Sequence, residues 1–214
     1  AWCHESWRND SAPSVSFIIG AIRPRTTDSR HGRPVAPQKL LDRAAPDAPG
    51  QVWVSDITYI STSEGWLYLA AEMDLFSRRV VGWEACGHME RSLIIGALEN
   101  AVAASTGPLR GLLHHSDQGS QYASHDFGAA LAALGIEPSM SRRGNCYDNA
   151  AMESFWATLK AECFDREIPA TRQQARSMIF DYIETFYNPR RRHSSLGYPS
   201  PAEFEQQTQS RALF

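Results

Sequence analysis

The sequence predicts an α/β fold in which a mixed five-stranded sheet is flanked by helices. Three segments rich in β-branched and aromatic residues follow one another with short connections over residues 51–85, which is typical of an antiparallel meander. Helical and strand-like patterns then alternate over residues 92–187. A meander followed by such an alternation indicates one sheet covered by helices.

Each predicted element rests on a local pattern. Apolar residues recur at helical spacing after Ser92 until Gly107-Pro108 interrupts the pattern, and Gly135 is placed to end the second helix. The predicted strands are 51–60, 66–74, 79–85, 112–116 and 136–139. The predicted helices are 92–105, 124–134, 148–164 and 172–187. Four aromatic residues are expected in the core: Trp83, Phe155, Trp156 and Phe186.

Composition excludes several classes of protein. Of 214 residues, 43% are hydrophobic and 21% are charged, as in ordinary globular proteins. No apolar run approaches the roughly 18 residues of a membrane-spanning helix, so no membrane association is expected. The net charge of −3 does not indicate a strongly basic nucleic-acid binder, although local clusters matter more than the sum. Four cysteines without a CxxC pair predict reduced thiols in a cytoplasmic protein.

Three acidic residues stand at notable positions. Asp56 lies inside an otherwise apolar predicted strand, Asp117 ends the fourth strand, and Glu153 lies on a predicted helix. If the first and fourth strands are neighbours, the two aspartates point to one spot and the helix can bring the glutamate to them. Converging carboxylates repel each other, and Mg²⁺, which prefers oxygen ligands, would relieve that repulsion. A strand aspartate is more often a local hydrogen-bonding residue, so the pattern alone leaves both interpretations open.

Short motifs extend over the chain from about Thr26 to Glu205. They are DSRHG at 28–32, WVSDITYI at 53–60, DLFSRRVVGW at 74–83, HSDQGSQY at 115–122, SMSRRGNCYDNA at 139–150, ESF at 153–155 and YNPRRRHSSLGYPSP at 187–201. Together they resemble the catalytic protein of IS3-family insertion-sequence transposases, relatives of the retroviral integrases. In that family 35 residues separate the second aspartate from the glutamate of the acidic triad, and residues 118–152 here also number 35.

The resemblance implies a fold, a site and a cofactor. The fold would be RNase H-like, that of an integrase catalytic core. Asp56, Asp117 and Glu153 would be the catalytic residues and the ligands of two Mg²⁺ or Mn²⁺ ions, which can clamp an in-line phosphoryl transfer. We expect an integrase-like catalytic domain with a C-terminal helical extension over residues 50–210. Residues 1–49 contain six prolines, which predicts a basic N-terminal arm or linker with little regular structure.

Residues near the triad are candidates for DNA contact. Lys160 follows Glu153 by two helical turns, about 10 Å along the same face, where a cation can hold a phosphate. The alternative for Lys160 is an ordinary exposed helix lysine. Asn149 precedes Glu153 by one turn and could orient the carboxylate, contact DNA or cap the helix. Gly119 follows Asp117 and either admits a phosphate closely or serves a plain turn.

Arginine clusters suggest a track for the DNA backbone. Arg142 and Arg143 precede the helix that carries Glu153, and arginines suit phosphate contacts. Two further clusters, 78–79 and 190–192, could extend the track. Each cluster by itself is also consistent with a solvated surface.

The predicted function is that of a DDE-type transposase, a polynucleotidyl transferase. It would cleave DNA at the ends of an insertion sequence and transfer the freed strand, acting in the bacterial cytoplasm in contact with the nucleoid. The resemblance implies homo-multimers on element ends and target DNA. Residues 1–22 show no helix-turn-helix pattern, so we expect a truncated chain that relies on a helix-turn-helix protein from an upstream reading frame. The alternatives are a truncated, catalytically idle DNA-binding remnant and a simple nuclease on the same fold.

Overall fold

A computed structural model describes residues 31–142 and 149–211 of the chain. The strands are β1 Val52–Thr62, β2 Gly65–Asp74, β3 Val80–Cys86, β4 Leu113–Ser116 and β5 Glu137–Met140. The helices are α1 Arg91–Ala104, α2 His125–Leu134, α3 Ala150–Cys163, α4 Arg172–Phe180 and α5 Pro201–Arg211. All of the strands and helices predicted from the sequence are present, with ends shifted by a few residues.

The strands form one mixed sheet in the order β3-β2-β1-β4-β5. The first three strands are antiparallel neighbours, whereas β4 runs parallel to both β1 and β5. The predicted five-stranded sheet is therefore confirmed, and β1 and β4 lie side by side as the argument about the aspartates required. Pairing with β4 is short, covering only Val52–Val54 of β1, while β2 accompanies β1 as far as Thr62.

Alternation along β1 divides the hydrophobic core into two layers. Trp53 and Ile57 pack with α1 and α2 on one face of the sheet. Val54 and Ile60 pack with α3 and α4 on the other face. Successive strand residues point to opposite faces. Because both faces of β1 are covered by helices, most of its residues have to be apolar. Asp56 shares the face of Val54 and is thereby directed toward α3.

The predicted helix 172–187 changes its form after Phe180. Residues Asp181–Tyr187 are π-helical, and the amide of Asn188 donates to the carbonyl oxygen of Ile183 at 3.0 Å. The wider turn buries Tyr182, Ile183 and Tyr187 together. It leaves Phe186 42% exposed, so the expectation that Phe186 packs in the core was wrong.

The other three aromatic residues differ in burial. Phe155 and Trp156 are core residues, as predicted. Trp83 is half-buried, and its indole N–H donates to Glu184. The side chain of Asn188 then binds both the amide and the carbonyl of Val80, which fixes the end of the π-helical segment to the start of edge strand β3.

Residues 31–49 contain neither helix nor strand and lie against the sheet. The amide of Lys39 donates to Ser139 Oγ at 2.9 Å, and the side chains of Lys39 and Arg43 both pair with Glu137. An arm held in this way fits the proline-rich composition, while the domain boundary at residue 49 stays a prediction. Within the described ranges, no helix has the length and apolar character needed to cross a membrane.

Candidate active site

Asp56 and Asp117 lie where two neighbouring parallel strands diverge. The register pairs Val52 with Leu113 and Val54 with His115. Continuing that register by two residues sets Asp56 beside Asp117, immediately after β4 ends. The pairing of β1 with β4 ends two residues before this point, and the charge of Asp117 acts on Asp56, so the two carboxylates lie near each other where the strands part.

The carboxylates influence one another electrostatically. Burial, and next to it the negative charge of Asp117, raises the pKa of Asp56 from 3.8 to about 7. Glu153, exposed on the first turn of α3, adds a smaller contribution of the same sign. The structure thus brings the three predicted acidic residues into one electrostatic environment. Across residues 31–142 and 149–211, however, no three His, Cys, Asp or Glu side chains stand close enough together to hold a metal ion.

Trp156 fixes the position of Asp56. Its indole Nε1 donates to Asp56 Oδ2 at 2.9 Å, while its ring packs against Phe155 with 4.8 Å between centroids. Both this bond and the backbone amide of Ile57 favour the charged form of Asp56, although burial outweighs them. The sequence predicts only a core position for Trp156. Its position three residues after Glu153, on the same helix face, could have indicated this second role.

Asn149 joins the start of α3 to β1. It occupies the N-cap position but makes no capping hydrogen bond, so the structure does not show the capping alternative. Instead Asn149 Nδ2 donates to the carbonyl oxygen of Ser55 at 3.2 Å. Its Oδ1 is buried and has no hydrogen-bond partner among the described residues. The side-chain amide of Asn149 is therefore bonded to the residue that precedes Asp56, and its buried Oδ1 is available as a hydrogen-bond acceptor.

Gly119 holds the carboxylate of Asp117. The amide of Gly119 donates to Asp117 Oδ1 at 2.8 Å. A Cβ atom added at Gly119 would lie 2.8 Å from that same oxygen, a distance that real Cβ contacts do not show. The absence of a side chain here is therefore needed for the position of Asp117, which is a more specific role than that of a plain turn glycine.

Gly119→Ala is expected to reduce activity strongly and stability only modestly. The added methyl group displaces the carboxylate of Asp117, and such misplacement can lower a rate about a hundredfold. The matched control is Gly128→Ala on α2, where nothing lies within 4 Å of the new Cβ and alanine favours the helix by about 1 kcal/mol. Thermal unfolding and DNA strand joining should be measured on both variants; equal activity of the two would contradict the role assigned to Gly119.

The loop after Asp117 is also held by the arm. His31 Nε2 donates to the carbonyl oxygen of Gln118 at 2.9 Å, and the guanidinium of Arg33 donates to the carbonyl oxygen of Ser120. The sequence indicates no role for His31, although His31 belongs to the motif at 28–32. These contacts join segments 87 residues apart, so only the folded chain reveals them.

A buried polar network lies beneath the site. Glu72, which is fully buried, accepts hydrogen bonds from Ser55 Oγ and from His114 Nε2, both at 2.9 Å. Ser55 Oγ also meets the hydroxyl of Tyr122 at 2.8 Å. Burial, together with the negative charge of Glu72, holds the pKa of Tyr122 well above its ordinary value. The network joins β1, β2 and β4 to the segment that follows Asp117.

Glu72→Ala should lower the free energy of unfolding by about 3 kcal/mol. The substitution leaves Ser55 and His114 without their buried partner and opens a cavity. Urea unfolding provides the measurement. Glu99→Ala, on the exposed face of α1, should change stability by less than about 0.5 kcal/mol, and a similar loss in both variants would argue against the network.

The predicted basic residues have different surroundings. Lys160 Nζ lies 4.9 Å from the centroid of the Tyr59 ring. Arg142 is exposed, and Arg143 lies outside the described residues. In the other two clusters, Arg79 pairs with Glu205 at 2.9 Å and Arg191 pairs with Glu162 at 2.8 Å. These two arginines therefore form ion pairs with glutamates of the same chain, which weakens the prediction of one continuous basic track for DNA.

Two family models match this chain, and both are described as integrase core domain. They cover residues 46–146 and 134–201. The matched region contains all five strands, α1 to α4 and the three acidic residues. The chain belongs to the integrase core domain family.

Curated relatives of this integrase core confirm the resemblance to IS3-family transposases. It is 49% identical over 181 residues to a 31 kDa protein of insertion element IS600 from Shigella sonnei. It is 48% identical over 158 residues to the transposase of IS904 from Lactococcus lactis, and 44% identical over 175 residues to transposase InsF of IS3A from Escherichia coli K12. These matches cover 85%, 74% and 82% of this chain but only 66%, 62% and 60% of the three relatives.

Solved structures agree on the fold. An intasome of simian T-cell lymphotropic virus, determined with the PP2A subunit B56 gamma, matches with a TM-score of 0.62 at 18% identity over 85% of this chain and 61% of that one. The HTLV-2 integrase catalytic core determined with magnesium in a trimeric form matches with a TM-score of 0.54 at 14% identity over 74% of this chain and 98% of that one. The predicted RNase H-like fold of this integrase core is therefore confirmed.

Proposed function

We propose that this integrase core is the catalytic part of a DDE-type transposase. It would cleave DNA at the ends of an insertion sequence and transfer the freed 3′-hydroxyl to another phosphodiester. The observation that carries the proposal is the position of Asp56 and Asp117 on neighbouring parallel strands. Burial, and after it the charges of Asp117 and Glu153, raises the pKa of Asp56. Strongly shifted carboxylates in an opening of the sheet are typical of functional sites. Relatives named transposases support the choice of reaction.

The chemistry of the donor set fits a hard divalent cation, although the three side chains are not gathered closely enough to form a metal site in this structure. Asp56, Asp117 and Glu153 offer only carboxylate oxygens, which Mg²⁺ and Mn²⁺ accept, and their mutual repulsion is the situation that a cation relieves. We propose that these three residues hold two such ions. When bound, divalent cations activate the attacking oxygen and stabilise the leaving oxygen of a phosphoryl transfer. The similar HTLV-2 core was determined in complex with magnesium.

The surrounding residues would position the carboxylates and the DNA. The amide of Gly119 orients Asp117, and the indole of Trp156 orients Asp56. We propose that Lys160, Asn149, Arg142, Arg143 and the backbone at Gly119 contact DNA. Phosphate contacts of this kind give affinity that falls with salt and does not depend on sequence.

The assembly is part of the same proposal. We infer that the chain forms homo-multimers on paired element ends and target DNA in the bacterial cytoplasm. The HTLV-2 core was determined in trimeric and dimeric forms, which supports association of such cores. A helix-turn-helix protein from an upstream reading frame would supply recognition of the element ends.

Strand joining by the purified chain tests the proposed function. Labelled duplexes carrying the ends of the element would be incubated with Mg²⁺ or Mn²⁺, and joined and cleaved products would be resolved on a denaturing gel. Metal-dependent joined product is the expected result. Cleavage without joining would identify a simple nuclease. Neither product from a folded, metal-binding chain, with the upstream protein added, would identify an idle remnant.

A further inference from the structure

Three polar side chains form a cluster outside the candidate active site: Arg78, Tyr187 and His193, which we call the Arg78 cluster. The rings of Tyr187 and His193 meet edge to face, with 5.0 Å between their centroids. The side chain of Asn188 bonds both the amide and the carbonyl of Val80, which holds the turn between β2 and β3 against the segment that contains Tyr187. Arg78 lies in that turn, and its positive charge acts on both rings.

The polar ends of these side chains have no partner among residues 31–142 and 149–211. His193 Nε2 is buried and makes no hydrogen bond to them. Tyr187 is only 2% exposed, and its hydroxyl makes no hydrogen bond to the described part of the chain. The guanidinium of Arg78 likewise pairs with no described carboxylate. Buried polar groups are normally hydrogen-bonded, so the packing of these ranges alone does not account for the Arg78 cluster.

The backbone of Arg78 is in the left-handed conformation, with a φ of 64°. Residues other than glycine adopt this conformation at a cost, and such positions are frequent at functional sites. Asparagine and glycine are the residues that the conformation favours. An arginine at this position therefore indicates a role for its side chain.

The charges around the Arg78 cluster leave an excess of positive charge. The carboxylate of Glu162 acts on Tyr187 and His193, but it already accepts hydrogen bonds from Arg191 at 2.8–3.0 Å and from the hydroxyl of Tyr182 at 2.7 Å. The charge of Arg191 acts on both rings as well. Two guanidinium groups thus face one carboxylate within the described ranges, and an anion at the cluster would balance the second.

We propose that the Arg78 cluster binds one phosphate group of a DNA backbone. The guanidinium fork of Arg78 matches two phosphate oxygens. Burial keeps the hydroxyl of Tyr187 protonated by raising its pKa, so that group donates. Burial and the charges of Arg191 and Arg78 lower the pKa of His193 to about 4. The ring is therefore neutral at pH 7, and it donates in the tautomer that carries its proton on Nε2.

The position of the cluster beside α3 favours DNA as the source of the phosphate. Tyr187 packs against Phe155, two residues after Glu153, with 4.8 Å between ring centroids. The 14 residues of α3 extend about 20 Å, the length of about six base pairs. Arg190 and Arg192 are exposed near the cluster, which suits a row of phosphates better than a single carboxylate. The inference rests on the proposed function, because DNA held at Glu153 brings a phosphate to this segment.

Binding of duplex DNA at several salt concentrations tests the inference without any chemistry. The full chain and its Arg78→Asn variant would be titrated with a labelled duplex in buffer free of divalent cations. Arg78→Asn should weaken binding about tenfold at about 0.1 M salt and lower the slope of log affinity against log salt by about one. Asparagine tolerates the left-handed backbone, so the fold should be kept. Equal affinities and slopes would overturn the inference.

Two further variants separate the site from a general effect of charge or packing. Arg110→Asn is the matched control, because Arg110 is an exposed arginine in the turn before β4, and it should keep the affinity and the slope of the unmodified chain. An equal loss in Arg110→Asn and Arg78→Asn would overturn the inference. Tyr187→Phe removes a hydroxyl that bonds none of the described residues, so the unfolding temperature should stay the same while DNA binding weakens about threefold. Full DNA affinity in Tyr187→Phe would contradict the site, whether or not Arg78→Asn folds.

Inorganic phosphate distinguishes a DNA contact from a site for a small anion. The unfolding temperature would be measured in phosphate and in chloride at equal ionic strength. Stabilisation by phosphate that disappears in Tyr187→Phe, together with unchanged DNA affinity of that variant, would identify a small-anion site and overturn DNA as the occupant.

Failure of this inference and failure of the proposed function give different results. A chain that joins strands, and whose Arg78→Asn and Tyr187→Phe variants bind DNA as tightly as the unmodified chain, overturns the phosphate site alone. Weaker binding by both variants of a chain that forms no joined product supports the site and argues against the transposase reaction. A chain that binds no duplex DNA overturns the site.

Discussion

Asp117→Asn is expected to reduce strand joining about a thousandfold or more while leaving the fold intact. The asparagine Oδ1 can still accept the hydrogen bond from Gly119 that now ends on Asp117 Oδ1, so the loop keeps its shape. What disappears is the negative charge beside Asp56. Single electrostatic groups at reacting centres contribute about 10²–10³ to the rate, and loss of a ligand to the proposed divalent cations would add to that.

The measurement compares joined product per unit time for this variant and for Asp165→Asn. Asp165 is an exposed aspartate in the segment between α3 and α4, so its replacement makes the same chemical change away from the site. Asp165→Asn should retain full activity. Substantial joining by Asp117→Asn, in the presence of Mg²⁺ or Mn²⁺, would remove Asp117 from the catalytic set.

Asp56→Asn should inactivate the chain yet stabilise it in metal-free buffer above pH 7. Because the pKa of Asp56 is raised from 3.8 to about 7 by burial and by Asp117, the folded state binds one more proton than the unfolded state between these pH values. The contribution of Asp56 to stability is therefore present below about pH 4 and is lost as the pH rises through 7. At about 1.4 kcal/mol per pH unit the full loss is about 4 kcal/mol.

Urea unfolding at pH 4 and at pH 8, with a chelator present, tests this expectation. The stability difference between Asp56→Asn and the unmodified chain should be near zero at the lower pH and should reach a few kcal/mol at the higher. Using the difference between two chains removes the titration of the groups that Asp56 does not influence. A stability difference that stays constant from pH 4 to pH 8 would show that the pKa of Asp56 is not raised in the folded chain.

The sheet could be predicted because its signals are local. The meander over β1 to β3 and the alternation that follows depend on residue types within each segment, and Gly135 in the left-handed conformation ends α2 where expected. The π-helical segment 181–187 could not be predicted in the same way. Its apolar spacing fits an ordinary helix as well, and only the fixed contacts of Tyr187 and Asn188 with the core select the wider turn.

The candidate site likewise combines features that are visible in the sequence with features that depend on the fold. The spacing between Asp117 and Glu153 and the isolated position of Asp56 in an apolar strand are visible in the sequence. The bonds from Trp156 to Asp56 and from Asn149 to Ser55 connect positions about a hundred residues apart, so they depend on how α3 docks on β1. The polar network under the site is similarly hidden, because Glu72 and His114 look like ordinary strand residues until β2 and β4 are placed on either side of β1.

The contacts of His31 and Arg33 have a mechanical consequence. They make the arm the outer support of the backbone at 118–120, which directly follows Asp117. A displacement of the chain at residue 31 would therefore move this loop first. The strands behind the loop are held by the hydrogen bonds of Glu72 to its partners. A displacement of the arm would in this way reach the candidate site through the loop beside Asp117, and not through the sheet.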